Sequence, residues 1–323
     1  MTPKKKVLIC GASGFIGRNI FNRFIQNPDF EVYGTYFKST PSPLLLQHSK
    51  SRLLQADLTH HGDVQRVIQG MDVVIQAAAT TSGANDIVNK PYYHVTDNAV
   101  MNSFIFRACF EHKVKQVVFF SCTVMYSEQT KPVRESDFEY EIIDPYFGIG
   151  WTKVYIEKMC EFYSKIGPTR YTAIRHSNIY GPYDKFDLER SHVFGATLAK
   201  VMKAEEGKSI KVWGTGEEKR DLLHVSDLVR LLEAVIDIQD SPFELFNVGS
   251  GNQISIGDLV EKIIKSSGKK LKIAYDSSKP TIKTNISLDS AKARKFFNWS
   301  PRISLEEGIK ETIEWYKASM FHL

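Results

Sequence analysis

Four apolar residues, Val7 to Cys10, run straight into Gly11-Ala12-Ser13-Gly14-Phe15-Ile16-Gly17, after which Ile16, Ile20, Phe21, Phe24 and Ile25 recur at helical spacing. A buried-type strand, three glycines spaced G-x-x-G-x-x-G and a helix, in that order, limit what the chain can fold into more than any other feature. The first glycine permits a tight turn, the second lets a pyrophosphate approach the backbone, and the third lets the helix pack closely on the strand. The start of the helix then presents free N–H groups and a positive dipole end to the phosphates. Glycines at this spacing also occur in ordinary strand–turn–helix units, and it is the flanking strand and helix that mark a dinucleotide-binding turn. Gly11, Ser13, Gly14, Phe15, Ile16 and Gly17 are therefore expected against a dinucleotide cofactor.

The 323 residues suit one large α/β unit with a smaller lobe. Strands are predicted at Val7–Cys10, Glu31–Tyr36, Leu53–Ala56, Val73–Ala77, Val117–Ser121 and Thr172–Arg175, with helical patterns at Gly62–Gly70, Asn98–Glu111 and Lys153–Lys165. Continuous apolar strands separated by helices predict a Rossmann-type doubly wound parallel sheet covered on both faces. Past residue 175 the alternation becomes irregular. Short strands are predicted at Ile210–Trp213, Leu245–Val248 and Leu271–Ala274, and helices at His192–Glu205, Asp227–Ile238, Ile256–Ser266 and Ser304–Lys317. This divides the chain into a cofactor-binding domain, 1–175, and a smaller C-terminal α/β substrate lobe, 176–323, with some segments of the lobe returning to the main sheet.

Composition excludes several classes. Lysine and arginine number 42 against 37 acidic residues, and no basic stripe alternates with aromatics, so nucleic acid is not an expected partner. Lys4 to Lys6 resemble a signal n-region, but the apolar run after them ends at Gly11, too soon for an h-region. No apolar run is long enough to span a bilayer. Cys10, Cys109, Cys122 and Cys160 are widely spaced, as expected of free thiols in a reducing cytoplasm. The histidines form no helical H-x-x-x-H pair, and no metal is expected.

The segment Asp144-Pro145-Tyr146-Phe147-Gly148-Ile149-Gly150-Trp151-Thr152-Lys153, with Glu157 to Glu161 after it, is more specific. Further matches are Val74 to Ala79, Asn178-Ile179-Tyr180-Gly181-Pro182-Tyr183-Asp184-Lys185-Phe186, Ser191-His192-Val193, Val212 to Gly216, Arg220 to Asp227 and Ser278-Lys279-Pro280. In this order, over nearly the whole chain, they resemble the extended short-chain dehydrogenase/reductases that act on nucleotide sugars, and among those the GDP-L-fucose synthases. The resemblance implies a tyrosine and a lysine on one helical face. The phenol exchanges a proton with the sugar oxygen while hydride passes between sugar and nicotinamide, and the lysine favours the phenolate and holds the ribose.

Lys153 matches the family lysine, but the usual tyrosine position, four residues earlier, is Ile149. Pro145-Tyr146 resembles the family's Pro-Tyr pair displaced by three residues. A seven-residue helical step turns about 700°, returning within roughly 20° of the same face, but it lengthens the axial separation from about 6 Å to about 10.5 Å. A bend at Gly148 or Gly150 would have to bring Tyr146 back. A second departure lies at Ser121-Cys122-Thr123-Val124-Met125-Tyr126, where the family's hydroxyl residue maps to Cys122, with Thr123 beside it. The cysteine that serves the resembled synthases as an epimerisation base maps to Val124. Along a strand Cys122 and Val124 would share a face; a thiol near pKa 8.5 would need activation to act as that base. His192 matches the family's acid/base histidine.

For the nucleotide sugar, the resemblance places Asn178, Lys200, Trp213, Arg220 and Lys283 around the diphosphate and base. It puts Asp57 and Leu58 at the adenine, and Ala77, Ala78, Ala79, Lys153 and His176 among the cofactor contacts. The end of the second strand, Gly34 to Ser39, carries no carboxylate to select NAD through a ribose 2′-hydroxyl. Lys38, Ser39 and Arg18 are able to receive a 2′-phosphate, so NADP(H) is favoured over NAD(H). The expected activity is NADP(H)-dependent reduction at C4 of a GDP-linked 4-keto sugar, with C3/C5 epimerisation weakened by Val124. Alternatives are a 4-epimerase or 4-dehydrogenase with retained cofactor, and an idle dinucleotide-binding member serving as sensor or subunit, which Ile149 keeps open. The resemblance also implies a homodimer, through helices Asn98–Glu111 and Trp151–Lys165.

Overall fold

A computed structural model describes residues 3–39, 52–80, 91–187, 191–278 and 285–320. The elements of the first half are β1 (Lys5–Cys10), α1 (Phe15–Phe24), β2 (Phe30–Tyr36), β3 (Leu53–Gln55), α2 (His61–Ile68), β4 (Val73–Gln76), α3 (Pro91–Glu111), β5 (Gln116–Ser121), α4 (Phe147–Ile166) and β6 (Arg170–His176). After them come β7 (Asn178–Tyr180), α5 (Val193–Lys203), β8 (Ser209–Trp213), β9 (Lys219–His224), α6 (Val225–Ile238), β10 (Phe243–Val248), β11 (Gln253–Ser255), α7 (Ile256–Ser267), β12 (Lys272–Asp276), α8 (Ala291–Phe297) and α9 (Leu305–Met320). One seven-stranded sheet runs β10-β6-β5-β4-β1-β2-β3 with every pairing parallel. This is the predicted Rossmann-type sheet, and β10 is a segment that returns to it. The remaining strands form β11-β9-β7 and the pair β12-β8.

Strand alternation explains the two layers. Val7 and Ile9 of β1 join Val32, Ile75 and Val118 on one face, under Ile20, Phe21 and Phe24 of α1 and Leu228 and Leu232 of α6. Leu8 and Cys10 point the other way, with Val74, Val117 and Phe119, under α2, α3 and Cys160 of α4. Both faces are therefore dry, which is why these strands read as unbroken apolar runs.

Two helices start earlier than their apolar patterns predict. In α3 an inward stripe is polar: His94, Asn98 and Asn102 are buried at i, i+4 and i+8. The Asn98 amide nitrogen donates to the carbonyls of Thr80 (3.0 Å) and His94 (2.7 Å), its oxygen accepts from Thr80 N–H, and Asn102 Oδ1 accepts from Gln76 (3.1 Å). The stripe ties the chain leaving β4 to α3, and its polarity hides the first turns from a hydrophobic reading. In α4 the first turn holds Gly148 and Gly150, poor helix formers. They are there for close packing: a Cβ on Gly150 would lie 2.8 Å from Ile142 Cδ1, and one on Gly148 2.8 Å from Val95 Cγ2.

Candidate active site

A cavity of about 950 Å³ opens along the carboxyl ends of β1, β4 and β5 and continues between β7, α5, β8 and β9. Carboxyl ends of parallel strands are where open α/β sheets bind ligands.

At the inner end sits the glycine turn. Gly11 has φ +77°, and a Cβ there would lie 2.8 Å from Ala78 Cα; a Cβ on Gly17 would lie 2.2 Å from the Gly11 carbonyl oxygen. Gly14 caps α1 with no side chain bonded to its first N–H groups and no acid in the first turn. Space without Cβ atoms, open N–H donors and an uncontested positive dipole end fit a pyrophosphate. Gly11, Ser13, Gly14, Phe15, Ile16, Lys38, Asp57, Leu58, Ala77, Ala78, Ala79 and His176 all line the cavity, as does Ser39. Gly17 and Arg18 do not line it. The Arg18 guanidinium lies 4.1 Å over the Tyr183 ring, and the next residue, Asn19, donates to the Pro182 carbonyl (2.9 Å). This face of α1 packs against the turn after β7.

Lys153 occupies the middle. Its ammonium donates to the Phe120 carbonyl at 2.8 Å and lies 4.8 Å from the Phe119 ring. Burial lowers its pKa, against the pull of Cys122 and Glu157. Cys122 is half-buried just past the end of β5, and burial pushes its thiol up more than the Lys153 charge pulls it down. Strand β5 ends at Ser121, so Cys122, Thr123 and Val124 lie in the turn beyond it rather than on one strand face; all three line the cavity. His176 donates from Nδ1 to the Ser177 carbonyl (2.7 Å), and burial lowers its pKa to about 4. His192 precedes α5 and is exposed into the cavity, where the surrounding walls lower its pKa.

Behind this centre is a buried polar network. The Arg175 guanidinium bonds Glu157 at 2.7 and 3.0 Å and the Tyr126 hydroxyl at 2.7 Å; Ser121 donates to Glu157 at 2.5 Å. It locks α4 to β5 and β6 one helical turn below Lys153.

Tyr146 and Ile149 both line the cavity. Tyr146 is the last residue of a 3₁₀ turn over Asp144–Tyr146, before α4 begins. Its phenol acts electrostatically on Arg220, whereas the titratable neighbours of Lys153 are Cys122, Glu157 and His176. The 3₁₀ turn places Tyr146 before the helix that carries Lys153, so the seven-residue step between them is not helical throughout.

At that far end Asn178, Lys200, Trp213 and Arg220 line the wall. Lys200 donates to the Lys211 carbonyl (2.8 Å) and lies 5.6 Å from the Trp213 ring. Asn178 donates to the Asp221 carbonyl (3.2 Å), and burial lowers the Arg220 pKa. Lys283 lies outside the described residues. Sequence reasoning missed two buried acids here, Asp184 and Glu218. Asp184 accepts from Lys185 N–H (2.7 Å) with Oδ1, its Oδ2 is buried without a partner among the described residues, and burial pushes its pKa up to about 7. A lone acid beside Tyr-Gly-Pro reads as a solvated loop, and nothing in the sequence signals otherwise. Among the described residues no group of three His, Cys, Asp or Glu side chains is placed to hold a metal.

Residues 7–249 match the NAD dependent epimerase/dehydratase family. The chain belongs to that family. As a member of the NAD dependent epimerase/dehydratase family it is an enzyme of the oxidoreductase type. It is 27% identical to GDP-L-colitose synthase of Yersinia pseudotuberculosis over 316 residues, which is 96% of this chain and 97% of that protein. It is 29% identical to GDP-L-fucose synthase 1 of Arabidopsis thaliana, over 96% of this chain and 93% of that one. Its fold is also similar to that of UDP-glucose 4-epimerase from Thermotoga maritima, solved with UDP-glucose, with a TM-score of 0.85 and 25% identity, covering 98% and 99% of the two chains.

Proposed function

We propose that the chain reduces C4 of a GDP-linked 4-keto sugar with NADPH. What supports this above all is the single cavity. It is continuous from the glycine turn through Lys153 to Lys200, Trp213 and Arg220, so one dinucleotide and one nucleotide sugar meet at the lysine. The bound nicotinamide supplies hydride chemistry; the chain's residues hold the two diphosphates and manage the proton. Arg and Lys suit a diphosphate by charge and by guanidinium geometry. NADPH is favoured over NADH because Phe37, Lys38 and Ser39 edge the adenosine end with no carboxylate among them. The test is incubation with GDP-, UDP-, CDP- and dTDP-4-keto sugars and NADPH in deuterated water, with mass spectrometry of the products. Stoichiometric NADPH loss with a GDP-sugar alcohol supports the proposal, and product without net cofactor loss replaces it.

A second reading, 4-epimerisation with a retained cofactor, is favoured by the likeness to a UDP-sugar 4-epimerase over the full chain. We also propose a homodimer in a reducing cytoplasm. The outer face of α4 leaves Tyr155, Phe162 and Ile166 about half exposed, and all four cysteines are free thiols. Light scattering on the purified chain tests the dimer.

A further inference from the structure

The reaction needs a group that takes and returns a proton at the sugar oxygen, and the usual phenol is missing beside Lys153. Ile149 fills its position, and Tyr146 lines the cavity from the 3₁₀ turn before α4. Cys122, Thr123, Lys153, His176 and His192 are among the polar side chains that line the cavity. Lys153 is a pure donor, already bonded to the Phe120 carbonyl. The Cys122 thiol is held protonated by burial. An aliphatic hydroxyl such as that of Thr123 is no base. His192 sits at the start of α5, where the helix dipole opposes its cation.

His176 differs from these in one respect. Its Nδ1 faces a carbonyl oxygen, which only accepts, so Nδ1 carries the hydrogen and Nε2 carries the lone pair. Among the described residues Nε2 makes no hydrogen bond to protein, and the half-buried residue lines the cavity. The ring is fixed edge-on against Phe120 at 6.0 Å, the residue whose carbonyl holds Lys153. The groups facing the ring are Lys153 from α4 and His192 from the start of α5, and both charges oppose its protonation.

We propose that His176 is a further catalytic residue, whose Nε2 exchanges the proton of the reacting sugar hydroxyl in place of the phenol that Ile149 lacks. The assignment rests on the reading of the chain as a nucleotide-sugar oxidoreductase. In the oxidative direction the Nε2 lone pair takes the O–H proton, those O–H electrons form the carbonyl π bond, and the C4–H electron pair leaves as hydride to the nicotinamide. In the reductive direction hydride adds to C4 and the Nε2–H proton goes to the oxygen; water in the cavity restores that proton. The imidazole is neutral near pH 7, so reductive turnover falls on the order of tenfold per pH unit toward alkaline pH, and oxidative turnover stays flat.

The test uses His176→Asn, whose amide keeps a donor for the Ser177 carbonyl and lacks the basic nitrogen. Expected are a fall in turnover of about 100-fold or more, loss of the pH slope and a far smaller loss of NADPH affinity. In ¹⁵N-histidine-labelled parent protein, the His176 Nε2 signal should lie in the unprotonated range and shift on adding NADP⁺ and GDP-mannose, while Nδ1 stays. Parent-like turnover in His176→Asn, an unmoved Nε2 signal, or a loss of cofactor affinity equal to the loss of rate overturns the assignment. A parent inert on every nucleotide sugar removes the reading of function as well, whereas an active parent with an equally active variant removes only the role of His176.

Discussion

The ammonium of Lys153 donates to the carbonyl of Phe120 across 2.8 Å, tying α4 to the last residues of β5. That contact points the charge at the mouth of the sheet. Lys153→Met keeps the side-chain volume and removes the charge. Turnover should drop about 100-fold or more, while the circular dichroism spectrum and Tm stay near those of the parent. Near-normal turnover in a folded variant would contradict the central role of the lysine.

Tyr146 and Arg220 line the same cavity and interact through charge, so loss of the phenol should show in substrate binding. Tyr146→Phe is expected to raise KM for the nucleotide sugar several-fold and to lower kcat by less than about tenfold, the mark of lost ground-state binding. A collapse of kcat at constant KM would instead restore the phenol as the proton donor.

Lys38 is exposed and lines the cavity beyond the end of β2, where the proposed reading puts the adenosine. Fluorescence titration should show NADPH binding more tightly than NADH. Lys38→Ala should weaken NADPH about tenfold, the worth of one charge-assisted hydrogen bond, and leave NADH unchanged. Equal losses for both cofactors would place the lysine elsewhere than on a 2′-phosphate.

Arg175 and Glu157 are buried, with side-chain exposures of 4% and 5%. Removing one partner strands the other charge, and Arg175→Met should cost about 3–5 kcal/mol in denaturant unfolding. A cost under about 1 kcal/mol would mean that water reaches the pair.

The Asp184 carboxyl is pushed up to about 7 by burial, whereas in the unfolded chain it titrates near 4. Between those values the folded chain keeps a proton that the unfolded chain has released, so this group's contribution to stability falls as pH rises through the window and levels off above it. Asp184→Asn removes that slope. The variant should melt close to the parent at about pH 4 and above it at about pH 8; a variant that melts lower at pH 8 would show that the carboxylate is paired.

The glycine turn and the parallel strands of the main sheet were legible in the sequence because their signals are local: alternation of strand and helix and a turn signal suffice. The start of α3 was not, because the stripe of His94, Asn98 and Asn102 is buried by hydrogen bonds rather than by apolarity. The strands β7, β9 and β11 gain their order from one another across the chain and carry little pattern of their own. At the site, residue types located Lys153, Cys122 and the far-end cations. The ring contact of Arg18 and the place of Tyr146 depend on the turn after β7 and the 3₁₀ turn before α4, and no spacing rule encodes either.

Strand β10 lies against β6, whose residues Tyr171 to Arg175 are buried. A chain that stops anywhere between them leaves β6 as an apolar parallel edge, ready to pair with another chain. During synthesis β6 therefore emerges well before its neighbour and must wait, a natural point for chaperone capture. The cofactor half, although complete in its motifs, should aggregate when expressed alone up to residue 176 and remain soluble when extended past Val248.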